Sequence, residues 1–150
     1  MRNILIIAGL IAASGLAYYF ISPLFVTIEV QDAAPVADKT SQAASPRMLA
    51  AVMGTQGHPA SGTVRIIESE EQTFIRFEDF ETLNGPQLHL YLSKDLEATE
   101  YVDLGPIRGT EGNINYEIPE DVDLSEYPYV MHWCVPFGVL FNYANISQQL

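Results

Sequence analysis

His132 and Cys134 stand two residues apart in Val130-Met131-His132-Trp133-Cys134-Val135, and Cys134 is the chain's only cysteine. An imidazole beside a thiol can draw it toward the thiolate, or the two can converge on one metal. Either use needs both side chains on one side of the backbone. A strand meets that condition, because residues i and i+2 share a face with α-carbons roughly 6 to 7 Å apart. A strand over Tyr129 to Val135 puts Val130, His132 and Cys134 on one face and Tyr129, Met131, Trp133 and Val135 on the other. The structural use of the same residues competes with the chemical one. A free cysteine packs as a small hydrophobe, and a histidine beside an aromatic is often simply hydrogen-bonded in place.

Sharper chemistries find less support. A blue-copper centre needs one Cys, two His and an axial Met, yet no His or Met follows Cys134, so His58, His89 or Met131 would have to come from elsewhere in the fold. A structural zinc site wants four ligands, commonly with two cysteines, and one Cys with three scattered His does not supply them. We therefore assign no metal. The chain has no phosphate-cradling loop, dinucleotide fingerprint or glycine-rich nucleophile turn before Cys134, so no motif assigns it to a known enzyme class. Asp121, Asp123 and Glu126 alternate without EF-hand spacing and read as a solvated turn.

The elements that must position these residues divide the chain in three. Ile4 to Val26 carries no charged residue and is long enough to cross a bilayer as a helix, so residues 1–28 are assigned to a transmembrane signal anchor. Arg2 precedes the run while Glu29 and Asp32 follow it, which places the N-terminus in the cytoplasm and the remainder outside the cell membrane. A cleavable signal peptide cut after Gly15-Leu16-Ala17 is the alternative. Residues 29–46, rich in Ala, Ser and Pro, read as a flexible linker.

Residues 47–150 form one domain of about the size that a single core can serve. The chain holds 19 Asp and Glu against 7 Lys and Arg, a formal charge of −12 that excludes nucleic acid as a partner. After a short helical stretch at Pro46 to Met53, seven runs rich in β-branched and aromatic residues predict strands: Gly62 to Glu68, Thr73 to Phe80, Gln87 to Ser93, Tyr101 to Leu104, Asn113 to Ile118, Tyr129 to Val135 and Val139 to Tyr143. Turn formers such as Asn84-Gly85-Pro86 separate them. The expected fold is all-β, an antiparallel sandwich or barrel of about seven strands behind one N-terminal transmembrane helix. Leu88, Leu90 and Leu92 share one face of their strand, and His89, Tyr91 and Ser93 share the other.

His58-Pro59-Ala60-Ser61-Gly62, Phe77-Glu78-Asp79-Phe80, Asn84 to Ser93, Tyr101-Val102-Asp103-Leu104-Gly105, Asn115-Tyr116-Glu117-Ile118-Pro119, and Cys134 with Phe137 follow one another in an order that resembles the DM thirteen domain family. The resemblance runs from about Met48 to Ile146. It implies an all-β extracytoplasmic domain acting in electron transfer, in animals often beside DOMON domains on cell-surface proteins. It also implies that Cys134 works as a bare redox thiol or ligates a prosthetic group such as haem, with His58 and His132 as the further candidate cofactor-binding residues; His58 matches the family's histidine before the first strand, where it could ligate, hydrogen-bond or cap a turn. His132-Trp133 stands where aliphatic or tyrosine residues are commoner in that family. Haem needs a pocket of several hundred Å³ that a small sandwich must take from its own core, which favours the bare thiol.

Two functions follow from these readings. In the first, a membrane-tethered domain exchanges electrons through Cys134, modulated by His132 or His58, with a separate redox or cell-surface protein; the sulfur must then be open to reagents. In the second, the domain is a non-catalytic binding module that presents Tyr91, Tyr101, Tyr116, Tyr127 and Phe137 or its acidic loops, and Cys134 fills core space.

Overall fold

The computed structural model describes residues 2–22, 26–35, 49–69 and 72–147. Helix α1 (Arg2–Ile21) has 20 residues. At 1.5 Å per residue that is about 30 Å, the thickness of a bilayer's hydrocarbon core. Its side chains from Asn3 to Tyr19 are all exposed and it is apolar on every face, as a membrane span or a signal sequence is. Among the described residues it is the one helix long and apolar enough to cross a membrane.

The rest is a sandwich of two five-stranded sheets. The strands are β1 (Glu29–Gln31), β2 (Ala50–Ala51), β3 (Met53–Gly54), β4 (Ala60–Glu68), β5 (Thr73–Thr82), β6 (Leu88–Ser93), β7 (Tyr101–Pro106), β8 (Glu111–Ile118), β9 (Tyr129–Cys134) and β10 (Val139–Asn145). One sheet runs β1-β8-β5-β4-β2 and the other β3-β10-β9-β6-β7. Every pairing is antiparallel except β1 with β8, which is parallel. All seven expected strands are present, with ends moved by a few residues, and β1, β2 and β3 are short additions at sheet edges. The helical stretch expected over Pro46 to Met53 is corrected. Pro46 to Met48 lie outside the described residues, and Ala50–Ala51 instead pairs with Val64 and Thr63. The segment assigned to the linker begins with β1, and its residues 36–46 lie outside the described ones.

The core lies between the sheets. Val64, Ile66, Ile75, Phe77, Ile114 and Tyr116 from the first sheet meet Leu90, Leu92, Val130 and Ala144 from the second. Alternation places most of these, but two bulges place the residues that matter for the site. In β5 the register slips between Phe77 and Phe80, where Asp79 takes φ +48°. One extra residue turns Phe80 and Thr82 inward alongside Phe77, whereas strict alternation would have sent them to the surface. The partner position must be Gly62, at φ +110°, because a Cβ there would sit 2.8 Å from the Asp79 oxygen. In β10 the register slips between Leu140 and Asn142, so that Phe141 and Asn142 are both buried.

Candidate functional site

Cys134 ends β9, with Leu88 of β6 and Val139 of β10 as its cross-strand partners. Its side chain packs with Leu88 and Phe141, and half-buried Ile107 covers them. The thiol donates to the carbonyl oxygen of Pro86 at 3.3 Å. Burial pushes the thiol pKa up from its ordinary value, only partly offset by the backbone N–H of Phe137, which favours the thiolate. The sulfur is thus held between two turns, one before β6 and one between β9 and β10. The expectation that it is open to reagents is corrected: Cys134 is 1% exposed. Apolar neighbours on both strands and the bulged Phe141 close over it.

His132 shares the inward face with Cys134, as alternation requires, and lies opposite Leu90 on β6 and Asn142 on β10. It is buried against the rings of Phe77 and Phe80, which also touch each other, with centroids at 5.1 and 5.0 Å from its own. Its Nδ1 lies 2.6 Å from Asn142 Oδ1, and Asn142 Nδ2 donates to Thr82 Oγ1 at 2.9 Å. The amide's two ends are thereby assigned, so His132 carries its proton on Nδ1 and donates it to Asn142. Nε2 is then a bare acceptor, and it has no hydrogen-bond partner among the described residues. Burial pulls the His132 pKa down to about 4, against the opposing effect of the Asn142 bond, and the ring is neutral at neutral pH. A neutral imidazole tied to Asn142 supplies no positive charge to the neighbouring thiol.

His58 closes the tight turn from Thr55, whose backbone exchanges two hydrogen bonds with it. Thr55 Oγ1 donates to the carbonyls of Leu140 and Phe141, so at 3.2 Å it accepts from His58 Nδ1–H. The His58 ring stacks on Phe141 at 3.9 Å between centroids. Phe141 therefore joins His58 to Cys134 through packing, and among the described residues no hydrogen bond links Cys134 to either histidine. Sequence reasoning missed Asn142, Thr82, Phe141 and Pro86. Asn142 alone left a signal, as the one polar residue inside the apolar run from Val139 to Ala144.

A family model described as Electron transfer DM13 matches residues 52–146, from the first buried residue of the sandwich to the last. The chain belongs to the DM13 family. No curated protein and no solved structure matches it.

The haem expectation can be weighed against the packing of the DM13 domain. Three cavities of about 630, 300 and 380 Å³ are lined, respectively, around Asp32, Arg108 and Asn115, around Ser69, Gln72 and Ile118, and around Asp121, Asp123 and Tyr127. None of the three is lined by Cys134, His58 or His132. Cys134 faces buried Leu88 and Phe141, which would have to leave the core to admit a macrocycle, so these residues do not fit haem. Among the described residues no group of three metal-binding side chains converges either. Asp123 instead accepts from Ser125 N and Ser125 Oγ and caps a single helical turn, Leu124–Glu126.

The aromatic surface drawn for a binding module is also corrected. Tyr91 and Tyr116 are 4% and 5% exposed, whereas Tyr101 and Phe137 remain open. Tyr91 is covered by Tyr101, stacked at 4.1 Å, and the Trp133 ring lies 6.3 Å away on the same outer face of the second sheet. Desolvation, then the hydrogen bond with Tyr101, pushes the Tyr91 hydroxyl to about 12.

Proposed function

We propose that this DM13 domain is a membrane-tethered, extracytoplasmic electron-transfer module that keeps Cys134 as a covered thiol and engages it only when the turns above it open. The observation that carries the reading is the seat of the sulfur between the Pro86 carbonyl and the Phe137 backbone N–H, because both holders lie on turns and not on core strands. The family match supports the redox half and α1 supports the tether. On opening, Cys134 loses its proton to water. The thiolate then attacks one sulfur of a partner disulfide, a new S–S bond forms, and the partner's second sulfur leaves as a thiolate with the electron pair. A partner thiol reverses the exchange and restores Cys134.

His132 does not activate the sulfur in this scheme. It holds β9 to β10 through Asn142 and so fixes the strand that carries Cys134. The test uses the full chain in its membrane, incubated with a protein disulfide and followed by intact mass. The expected result is a mixed disulfide on Cys134 that forms slowly, with loss of electron exchange in Cys134→Ser. Unchanged exchange in that folded variant overturns the redox reading.

The packing of Cys134 against Leu88 and Phe141 favours a second reading, a binding module in which the sulfur is core. Under that reading Cys134→Ala changes stability alone, and no mixed disulfide forms below the unfolding transition.

A further inference from the structure

We infer that the turn between β9 and β10, together with Val139 at the start of β10, is a membrane-docking tip that seats in the interfacial zone of the bilayer crossed by the chain's own helix. This rests on reading α1 as a membrane span. Val135, Phe137 and Val139 are 41%, 58% and 36% exposed, three large apolar side chains with only Pro136 and Gly138 between them. Scattered exposed hydrophobes are ordinary, but a contiguous set at a loop tip marks a surface that meets something apolar.

Charge points the same way. A chain of net charge −12 has no Asp, Glu, Lys or Arg from Tyr127 to its last residue, so the hairpin of β9 and β10 is free of groups that resist entry into a headgroup layer. Its side toward the helix is the end that lipid can accept.

The occupant is fixed by contact and by reach. The ring of Phe137 lies 5.2 Å from that of Phe20, in the last turn of α1. If that turn ends in the bilayer, Phe137 sits at the same depth, where aromatic rings are favoured. The path back to the domain is short. The Val26 carbonyl accepts from Asn84 Nδ2 at 3.0 Å, and Ile28 N donates to Thr110 Oγ1 at 2.9 Å. From Ile21 to Val26 the chain can extend only about 17 Å, so the sandwich cannot leave the surface. Asn84 also begins the turn whose Pro86 holds the Cys134 thiol, which places the covered sulfur at the membrane-facing end. An acidic domain gains nothing from anionic lipid, and the occupant is therefore the neutral headgroup and upper acyl zone.

The test uses the native full chain in phosphatidylcholine nanodiscs, with lipid spin-labelled near the top of its acyl chain. The amide signals of Val135, Phe137, Gly138 and Val139 are expected to lose several-fold more intensity than that of Ser125, beyond the far end of β9. Phe137→Ser should abolish the difference while the chain still floats with phosphatidylcholine vesicles. Broadening of the tip by a soluble gadolinium chelate and not by the lipid label overturns the tip and leaves the anchor standing. Protection from both probes assigns the tip to a second protein and also overturns it. A chain that fails to float removes the anchor, and the tip falls with it.

Discussion

His132 Nδ1 lies 2.6 Å from Asn142 Oδ1 in a space sealed by Phe77 and Phe80, and both side chains are 1% exposed. The pair makes stability depend on pH. His132 has a pKa of about 4 when folded against an ordinary 6.5, so between these values the unfolded chain binds the extra proton. The stability is present in full above about pH 6.5 and is lost as pH falls toward 4, by up to about 3 kcal/mol at one unit per 1.4 kcal/mol. Urea denaturation at half-unit pH steps should show that slope. His132→Leu should flatten it above pH 4, since Asp32, Asp95 and Asp123, all with lowered pKa values, act below their ordinary value of 3.8.

Asn142 joins both sides of the sandwich, its Oδ1 accepting a hydrogen bond from His132 Nδ1–H and its Nδ2 donating one to Thr82 Oγ1. Asn142→Ala leaves two buried polar groups unpaired and a void, and should cost about 2–4 kcal/mol. Thr82→Val removes one partner and should cost about 1 kcal/mol. Replacing both members of the pair, as in His132→Leu with Asn142→Leu, should recover much of the loss. Equilibrium unfolding of the two single variants and the double gives the coupling, and strictly additive losses would exclude the network.

Alternation made most of this fold legible in advance. Leu88, Leu90 and Leu92 on one face, and Val130, His132 and Cys134 on one face, are where the two-residue period puts them, and the registers Leu88 with Cys134 and Leu90 with His132 complete the pattern. The bulges were not legible, because Asp79 at φ +48° and Gly62 at φ +110° meet in a register gap between two strands that no local two-residue period announces. Phe80 and Thr82 therefore reach the core unannounced. Burial of Cys134 was open in the sequence for a related reason: its cover comes from Phe141, which turns inward only because β10 slips by one residue. β1 was hidden by composition, since three residues flanked by an Ala- and Pro-rich stretch carry no period and are ordered by the β8 edge.

That edge gives a third prediction. Gly112, at φ +111°, pairs with Val30, and a Cβ there would lie 2.1 Å from the Val30 oxygen. Gly112→Ala should push β1 off β8. Hydrogen exchange should then speed up at Asp32 N and Thr110 N, which are bonded to Asn113 and Ile28 carbonyls, and remain slow at Ile107 N. Gly105→Ala is the control, for Gly105 also has positive φ, +96°, but open space around it. It should cost about 1 kcal/mol of backbone strain without freeing β1. Equal exchange at Asp32 N in both variants would show that strain, not the clash, governs the edge.

The last prediction concerns the thiol itself. Burial raises the Cys134 pKa above its ordinary value near 9.0, and the sulfur is covered, so a maleimide reaches it only through opening. In the folded chain the labelling rate should climb about tenfold per pH unit with no plateau at or below pH 9, and it should lie orders of magnitude under the rate in urea. Leu88→Ala removes part of the cover at the cross-strand position and should raise the folded-state rate severalfold while leaving the pH slope in place. His132→Leu should leave that slope unchanged too, since a neutral ring bonded to Asn142 lends the sulfur no charge. A plateau near pH 7 that vanished in His132→Leu would instead reveal an imidazolium beside the thiolate, and would return His132 to the chemistry.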